Sequence, residues 1–554
     1  MIRFENFTFY YSDAERPALE DINLNILDGE FLLVSGPTGS GKSSLCRCLN
    51  GLIPNFYGGH LFGRVEVQGL DTSEHSTKEL AEIVGMIFQD PENQLFTVDV
   101  EREIAFGLEN LGFSENIITK RIEEALDAVG ISHLRYRQLQ ELSSGEKQKT
   151  ALASVMALHP DILVLDEPTS QLDPKGAEEI LMVVEKLNDE LGITVVLVEH
   201  RLDRVVHHVD RMLLMCDGRV LRDGSPREIL RSGEIESIRV GVPPVARLIK
   251  ELARRGVKVK KTPLTVKEAR PILDQAFRET SFTPKEEERP KGDLIIEIRG
   301  LSYTYPNGPI ALKNINLKIH EREFVSIIGR NASGKTTLTK HFNGLLKPTQ
   351  GNIAIYGVDT SKASVAELAR MVGYVFQNPN VHLIGETVEE EILSSLKHLD
   401  LSEDEIEQRV TQVLEEFSLL PYRDQYPRYL SGGERERAAI ASVIARSPKI
   451  LVLDEPTRGM DYGLKNDLMG FLDKYRKRGN TIILVTHDIE TVADYSDRVI
   501  LMSEGRVILD GPKKETLSKA LLFSPQINRL VQAYSKYGVP SNILTVEDAL
   551  RVLK

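Results

Sequence analysis

Residues Phe31–Leu52 read FLLVSGPTGSGKSSLCRCLNGL, and three signals follow one another in that stretch. Phe31 to Val34 is a short apolar run of strand length. Gly36 to Ser43 fits the pattern G-x-x-x-x-G-K-[ST]. Leu45, Leu49 and Leu52 then fall at i, i+4 and i+7, one face of a helix. Strand, glycine-rich loop and helix in that order is the context a phosphate-binding loop requires. The glycines let backbone N–H groups turn inward around phosphate oxygens, and the helix N-terminus adds a favourable dipole. The candidate cradle is Gly36, Pro37, Thr38, Gly39, Ser40, Gly41, Lys42, Ser43 and Ser44. Lys42 is expected to reach the β- and γ-phosphates of a nucleotide, and the Ser43 hydroxyl to ligate Mg2+. Taken singly, such a match also reads as a glycine-rich turn.

The match is not single. ALEDINLNILDGEFLLVSGPTGSGKSSL returns as ALKNINLKIHEREFVSIIGRNASGKTTL, which supplies a second cradle: Gly329, Arg330, Asn331, Ala332, Ser333, Gly334, Lys335, Thr336 and Thr337. VGMIFQDPENQLFTVDVEREI returns as VGYVFQNPNVHLIGETVEEEI, and DILVLDEPTSQLD as KILVLDEPTRGMD. The offset between Asp166 and Asp454 equals that between Ser143 and Ser431. Two matches in equivalent repeats, each between a strand and a helix, exclude chance. The tails repeat loosely as well, LTVKEA against LTVEDA. The expected organisation is a first core over 1–230 with an extension over 231–278, a charged, Pro-bearing linker over 279–292, a second core over 293–515 and its extension over 516–554.

Composition agrees with a multidomain globular chain: 554 residues, 41% hydrophobic and 27% charged. A net charge of -13 argues against sequence-independent nucleic-acid binding, which needs clustered Lys and Arg. No apolar run approaches the ~18 residues of a membrane span. The opening MIRFENFTFYYSD has no basic segment followed by an apolar one, so no secretory signal is expected. Three cysteines suggest a reducing compartment, and Cys46 and Cys48 read as helix packing.

Further along, DILVLDEP is a buried-strand pattern ending in two carboxylates. Asp166 at the strand end suits the Mg2+ sphere, and Glu167 is placed to polarise an attacking water. Asp454 and Glu455 repeat this pair. Later strands end in His200 and His487, each of which reads as a structural histidine or, in register after a nucleotide site, as a γ-phosphate contact. Gln89 and Gln377 each follow an apolar run ending in Phe and are candidates for contact with Mg2+ and water. A stretch with no chemistry of its own also occurs twice, LSSGEKQKTALAS from Leu142 and LSGGERERAAIAS from Leu430.

Phosphate loop, Gln loop, LSGGE-type signature, Asp-Glu strand and His, in that order and in both halves, resemble the ATP-binding cassette (ABC) ATPases. The resemblance implies an α/β fold of two tandem phosphate-loop cassettes, each with a mixed β-sheet core, a helical subdomain and a small C-terminal extension. In that family two cassettes face each other head-to-tail, and the signature of one closes over the nucleotide of the other. By this resemblance one ATP site comprises Lys42, Ser43, Gln89, Asp166, Glu167 and His200, capped by Ser431, Gly432, Gly433 and Glu434. The other comprises Lys335, Thr336, Gln377, Asp454, Glu455 and His487, capped by Ser143, Ser144, Gly145 and Glu146. Tyr11 and Tyr305 stand where the family stacks an aromatic on adenine, or else pack. Asp173 and Asp461 match the loop through which the family's cassettes communicate.

FQDPENQLFTVDVEREIAFGLENLG is similar to the ATPases of energy-coupling factor transporters, as are the LTVKEA and LTVEDA tails. That resemblance implies ATP-driven import of a vitamin or transition-metal ion into a prokaryote. It also implies a peripheral position on the cytoplasmic face of the membrane, with a transmembrane coupling subunit and a substrate-capture membrane subunit as partners and no nucleic acid. A sugar-importer ATPase and a soluble twin-cassette ATPase of ribosomes or nucleic acid are the alternatives. Against the latter, the linker is short and Lys42 and Ser143 lie within one domain's length. The second copy lacks the Q-L-F and A-F-G of the first, so the cassettes are expected to grip different parts of the coupling subunit. Asp90 and Glu92 form an acidic pair that suits a basic partner segment or is simply solvated. Ala332 in place of Gly39, and Ser144 in place of Gly432, either are tolerated or weaken the site they share in a head-to-tail clamp.

Overall fold

The computed structural model describes residues 1–12, 14–278, 292–306, 308–397, 399, 401–520 and 523–553. All of the expected linker except Gly292 lies outside them. The chain divides into two compact units, one of Met1–Ala269 with Asp461–Gly463 and the other of Arg270–Met460 with Leu464–Lys554.

In the first copy, Ile2–Tyr10, Leu19–Ile26, His60–Val67 and Leu70–Asp71 form a four-stranded antiparallel sheet. Ile2–Tyr10 and Leu19–Ile26 alternate buried with more exposed residues, as Leu19–Ile26 does with Leu19, Ile22, Leu24 and Ile26 inward, the pattern of a sheet with one wet face. A second sheet has six strands in the order Arg219–Gly224, Arg211–Cys216, Phe31–Ser35, Thr194–Val198, Ile162–Asp166, Val84–Ile87. All neighbours are parallel except the first pair. Phe31–Ser35, Ile162–Asp166 and Thr194–Val198 are buried along their whole length, which is why they read as unbroken apolar runs. Helix Lys42–Leu49 lies between the two sheets, where Leu45, Cys46, Cys48 and Leu49 join Phe4, Phe9, Val34 and Val164 in one core. The other face of the six-stranded sheet is covered by helices including Val100–Asn110, Glu115–Ala128, Ser144–Met156 and Pro174–Leu191.

The second copy repeats both sheets with the same strand order. After the core, the first copy continues into helices Pro226–Arg231, Glu234–Ser237, Pro244–Arg254 and Val266–Arg278. The second continues into Lys513–Lys519, Gln526–Val531 and Val546–Val552.

The leucine face does not run to Leu52 on a single helix. The helix ends at Leu49, and Gly51 at φ 71 turns the chain before a new turn begins at Leu52. The left-handed backbone that glycine accepts readily breaks the helical hydrogen-bond ladder there.

Candidate nucleotide-binding sites

The parallel strands converge on a single edge. Register pairs Val34 with Val198 and Asp166 with Val198, so the carboxyl ends of three neighbouring strands deliver the glycine-rich loop, Asp166-Glu167 and Glu199-His200 side by side. The edge strand Val84–Ile87 adds Gln89 two residues beyond its end. Crevices at the carboxyl ends of parallel strands are where such sheets bind ligands.

The loop comes very close to the backbone behind it. A Cβ on Gly36 would lie 2.2 Å from the Met215 carbonyl oxygen, and one on Gly329 would lie 2.3 Å from that of Met502. Lys42 Nζ donates to the carbonyls of Gly36 at 3.0 Å and Pro37 at 2.8 Å. Lys335 does the same with Gly329 and Arg330. Burial lowers the Lys42 ammonium pKa from its usual value, against the opposing pull of Glu167 and Asp166.

Glu167 and Glu455 stand at φ 51 and 54, a left-handed conformation that costs a non-glycine residue about 1–2 kcal/mol. Each is held there by its own N–H, which donates to Val198 or Val485 on the next strand. His200 Nε2 lies 2.8 Å from Glu167 Oε1, and Gln89 Nε2 donates to Glu167 Oε2 at 2.8 Å. Burial alone would raise the Glu167 carboxyl, but His200, Lys42 and Gln89 outweigh it and hold it below the usual range. Burial alone would also drive His200 neutral, but Glu167 outweighs it and holds the imidazole above its ordinary value. In the second copy His487 Nδ1 lies 2.8 Å from Glu455 Oε2. Glu455 is lowered in the same way, with His487 outweighing burial. No hydrogen bond joins Gln377 to Glu455 among the described residues, so the glutamine is engaged in one copy only.

The aspartates differ from the glutamates. Asp166 and Asp454 are buried, and each keeps its Oδ1 without a hydrogen-bond partner. Burial raises both, Asp454 to about 6, while the neighbouring hydroxyls of Ser43 and Thr336 oppose the shift. A buried, unpartnered carboxylate oxygen beside a loop hydroxyl is a donor set that fits Mg2+, with the remaining positions left to phosphate and water. Ser43 with Asp166, and Thr336 with Asp454, would hold it.

The Tyr11 hydroxyl lies 2.9 Å from Ser44 Oγ and accepts from Arg47 Nη1 at 3.2 Å. Tyr305 is bonded to Thr337 Oγ1 at 3.1 Å. Both rings are thus tied to the helix that follows the cradle. Asp173 caps helix Pro174–Leu191 by accepting from Gly176 N–H at 2.8 Å.

The signatures are helix starts. Ser143 and Glu146 form a reciprocal capping box at the head of Ser144–Met156, as Ser431 and Glu434 do for Gly432–Ile444. The S-x-x-E spacing carries that information in the sequence. The acidic pair by the Gln loop is occupied within its own cassette: Asp90 caps Pro91–Asn93 and accepts from Gln171 at 3.1 Å, and Glu92 meets Lys147 at 2.5 Å. Sequence reading missed Glu199, a buried carboxylate that accepts from the N–H groups of His200 at 2.8 Å and Arg201 at 3.0 Å and from the Thr169 hydroxyl. Nothing in the local pattern separates it from an exposed strand-end acid.

Fold and site together define two phosphate-loop nucleotide-binding units in one chain. The family described as ABC transporter matches residues 19–170 and 312–458. A protein of Methanosarcina mazei named "Putative ABC transporter ATP-binding protein" is 41% identical, covering 100% of this chain and 97% of its own length. A relative of the same description from Caldanaerobacter subterraneus subsp. tengcongensis is 38% identical over 93% of this chain and 92% of its own. Among solved structures, cbiO1 from Clostridium perfringens, described as part of the ABC transporter complex cbiONQ, is 38% identical over 44% of this chain and 95% of its own, with a TM-score of 0.39. The chain belongs to the ABC transporter family and is an ABC-type ATPase with two cassettes, which bind ATP with Mg2+.

Proposed function

We propose that this chain is the energy-coupling ATPase of a prokaryotic importer of the energy-coupling factor type, acting on a vitamin or transition-metal ion. In this reading Glu167 and Glu455 polarise the attacking water, and His200 and His487 hold those carboxylates and meet the γ-phosphate. Lys42 and Lys335 bind the β- and γ-phosphates. Ser43 with Asp166, and Thr336 with Asp454, would hold Mg2+, which would supply charge neutralisation at the phosphates. The two cassettes pair head-to-tail within the chain, each signature capping the nucleotide of the other, and the pair sits at the cytoplasmic face of the membrane.

The observation that carries the membrane partnership is an exposed aromatic pair beside the Gln loop. Phe96 is 63% exposed and Phe106 42% exposed, and their rings meet edge-on at 4.5 Å. Two exposed aromatic rings in mutual contact support a partner site there. Among the described residues no helix is long and apolar enough to cross a membrane, so an integral membrane subunit is the occupant that transport requires. The second cassette carries Ile384, 83% exposed, in place of Phe96, and Ser394 in place of Phe106, which supports unequal grips on the coupling subunit.

The test is affinity purification of the tagged chain from detergent-solubilised cells of its source. Integral membrane proteins should co-purify in fixed ratio, and Phe96→Asp with Phe106→Asp should release them without changing ATP affinity. Recovery with ribosomes instead, or an unaltered membrane complex in the double variant, would refute the proposal.

A further inference from the structure

In the second cassette, strand Val372–Val375 runs parallel to Ile450–Asp454, with Tyr374 paired to Val452. Tyr374 is buried, and its hydroxyl donates to Asp454 Oδ2 at 3.2 Å. The Thr339 hydroxyl lies 3.1 Å from the same phenol oxygen. Thr339 sits on helix Lys335–Lys340, directly after the phosphate loop. The phenol therefore bridges the loop helix and the aspartate. With Oδ2 engaged, the oxygen left without a partner is Oδ1.

The first cassette is built differently at both positions. Met86 stands in place of Tyr374, paired to Val164, and Cys46 in place of Thr339. Met86 offers no donor, and its sulfur instead accepts from Asn50 Nδ2 at 2.9 Å.

We propose that Tyr374 is a positioning residue for the cation-binding carboxylate of the second cassette, fixing Asp454 so that Oδ1 faces the metal. The two cassettes consequently differ in how firmly they hold the cation of Mg-ATP. The inference rests on the reading of Asp454 as a cation ligand. A hydrogen bond from a neutral donor to a buried carboxylate selects one rotamer in advance, so metal binding does not have to order it.

The experiment uses the full chain with Lys42→Ala, which confines nucleotide binding to the second phosphate loop. Mn2+ binding is followed by electron paramagnetic resonance in the presence of a non-hydrolysable ATP analogue. Affinity for the analogue is measured separately in EDTA. Tyr374→Phe should raise the apparent Mn2+ dissociation constant about tenfold, the effect of losing one hydrogen bond to a charged group, and leave the metal-free affinity unchanged. Tyr374→Met, which copies the first cassette, should do the same and serves if the phenylalanine variant is unstable. Unchanged Mn2+ affinity in both variants, while Asp454→Asn still abolishes it, would overturn the positioning role. A parallel loss of metal-free affinity would also overturn it, since that marks a merely structural residue. If Asp454→Asn itself leaves Mn2+ binding intact, it is the assignment of the cation ligand that fails.

Discussion

Ala332 stands at φ 60 and its counterpart Gly39 at φ 80. A Cβ built on Gly39 meets nothing within 4 Å. The departure from glycine in the second phosphate loop is therefore a matter of backbone strain within the loop rather than collision with the cassette's own atoms. Ser144 carries no such cost: its counterpart Gly432 has open space around a Cβ and lies outside the left-handed region. Left-handed backbone costs alanine about 1–2 kcal/mol, and glycine's extra chain entropy returns about 0.5–1 of it. Ala332→Gly should then stabilise the second cassette by roughly 0.5–1 kcal/mol, and Gly39→Ala should destabilise the first by a similar amount. Urea unfolding of the two variants checks this. A loss above about 3 kcal/mol for Gly39→Ala would mean that a clash, not strain, governs the position.

Elements in the two copies begin in the same way even where their sequences have drifted. Thr265 accepts from Glu268 N–H at 3.2 Å, while the Glu268 carboxylate takes Leu264 N–H at 2.9 Å. Thr545, Asp548 and Leu544 repeat this at the head of Val546–Val552. The L-T-V-x-[ED]-A stretches are thus helix starts. Among the described residues only the first is clamped by an arginine: Arg227 reaches Glu268 through Nη1 at 2.8 Å and Nη2 at 2.7 Å. Asp548 has Lys514 at 3.6 Å. The hydrogen bond from Arg227 outweighs burial and holds Glu268 down to about 2. A carboxylate depressed in the folded state stabilises above its unfolded value of about 4.3 and loses that contribution as pH falls towards the folded value. Because Glu268 is 39% exposed, screening limits the effect to about 1 kcal/mol or less. Glu268→Gln should therefore lower stability at about pH 7, and its difference from wild type should narrow steadily between about pH 5 and pH 3. A pH-independent difference would show that the clamp acts through packing. Asp548→Asn should cost less at every pH.

At the scale of the whole chain, two ATP sites are built from nearly matching parts with unequal surroundings. Gln89 hydrogen-bonds Glu167, whereas among the described residues no such bond joins Gln377 to Glu455, and Tyr374 donates to Asp454 where Met86 has no donor to offer Asp166. Replacing both Glu167 and Glu455 by Gln should abolish turnover in the assembled transporter and retain ATP binding. Under the proposed head-to-tail pairing, Ala332 and Ser144 fall in one site, the one that hydrolyses through Glu455. Glu167→Gln alone should then remove most of the ATPase activity, and Glu455→Gln alone should retain more. A loss of about 1.4 kcal/mol of transition-state stabilisation corresponds to tenfold in rate, so steady-state ATPase assays of the two single variants resolve the difference. A larger loss from Glu455→Gln would refute the ordering.

What was legible in the sequence was local. The phosphate loops, the Asp-Glu strand ends and the duplication could be read because contiguous residues build them: a cradle of adjacent N–H groups, a carboxylate pair at the end of one apolar run. The capping boxes at Ser143 and Ser431 are encoded just as locally, within four residues, but those stretches read only as paired signatures until the helices showed the boxes. The engagement of Glu167 by both Gln89 and His200 was not. Those residues come from the ends of three different strands, and their meeting depends on strand order and register, which no periodicity specifies. Tyr374 against Asp454 is decided in the same way, by which strand lies beside which. The end of the first loop helix at Leu49 was settled by Gly51, whose left-handed turn overrode a leucine spacing that by itself read as one helix. Backbone conformation also separated strain from crowding at Ala332, because the space around a Cβ exists only once the chain has folded.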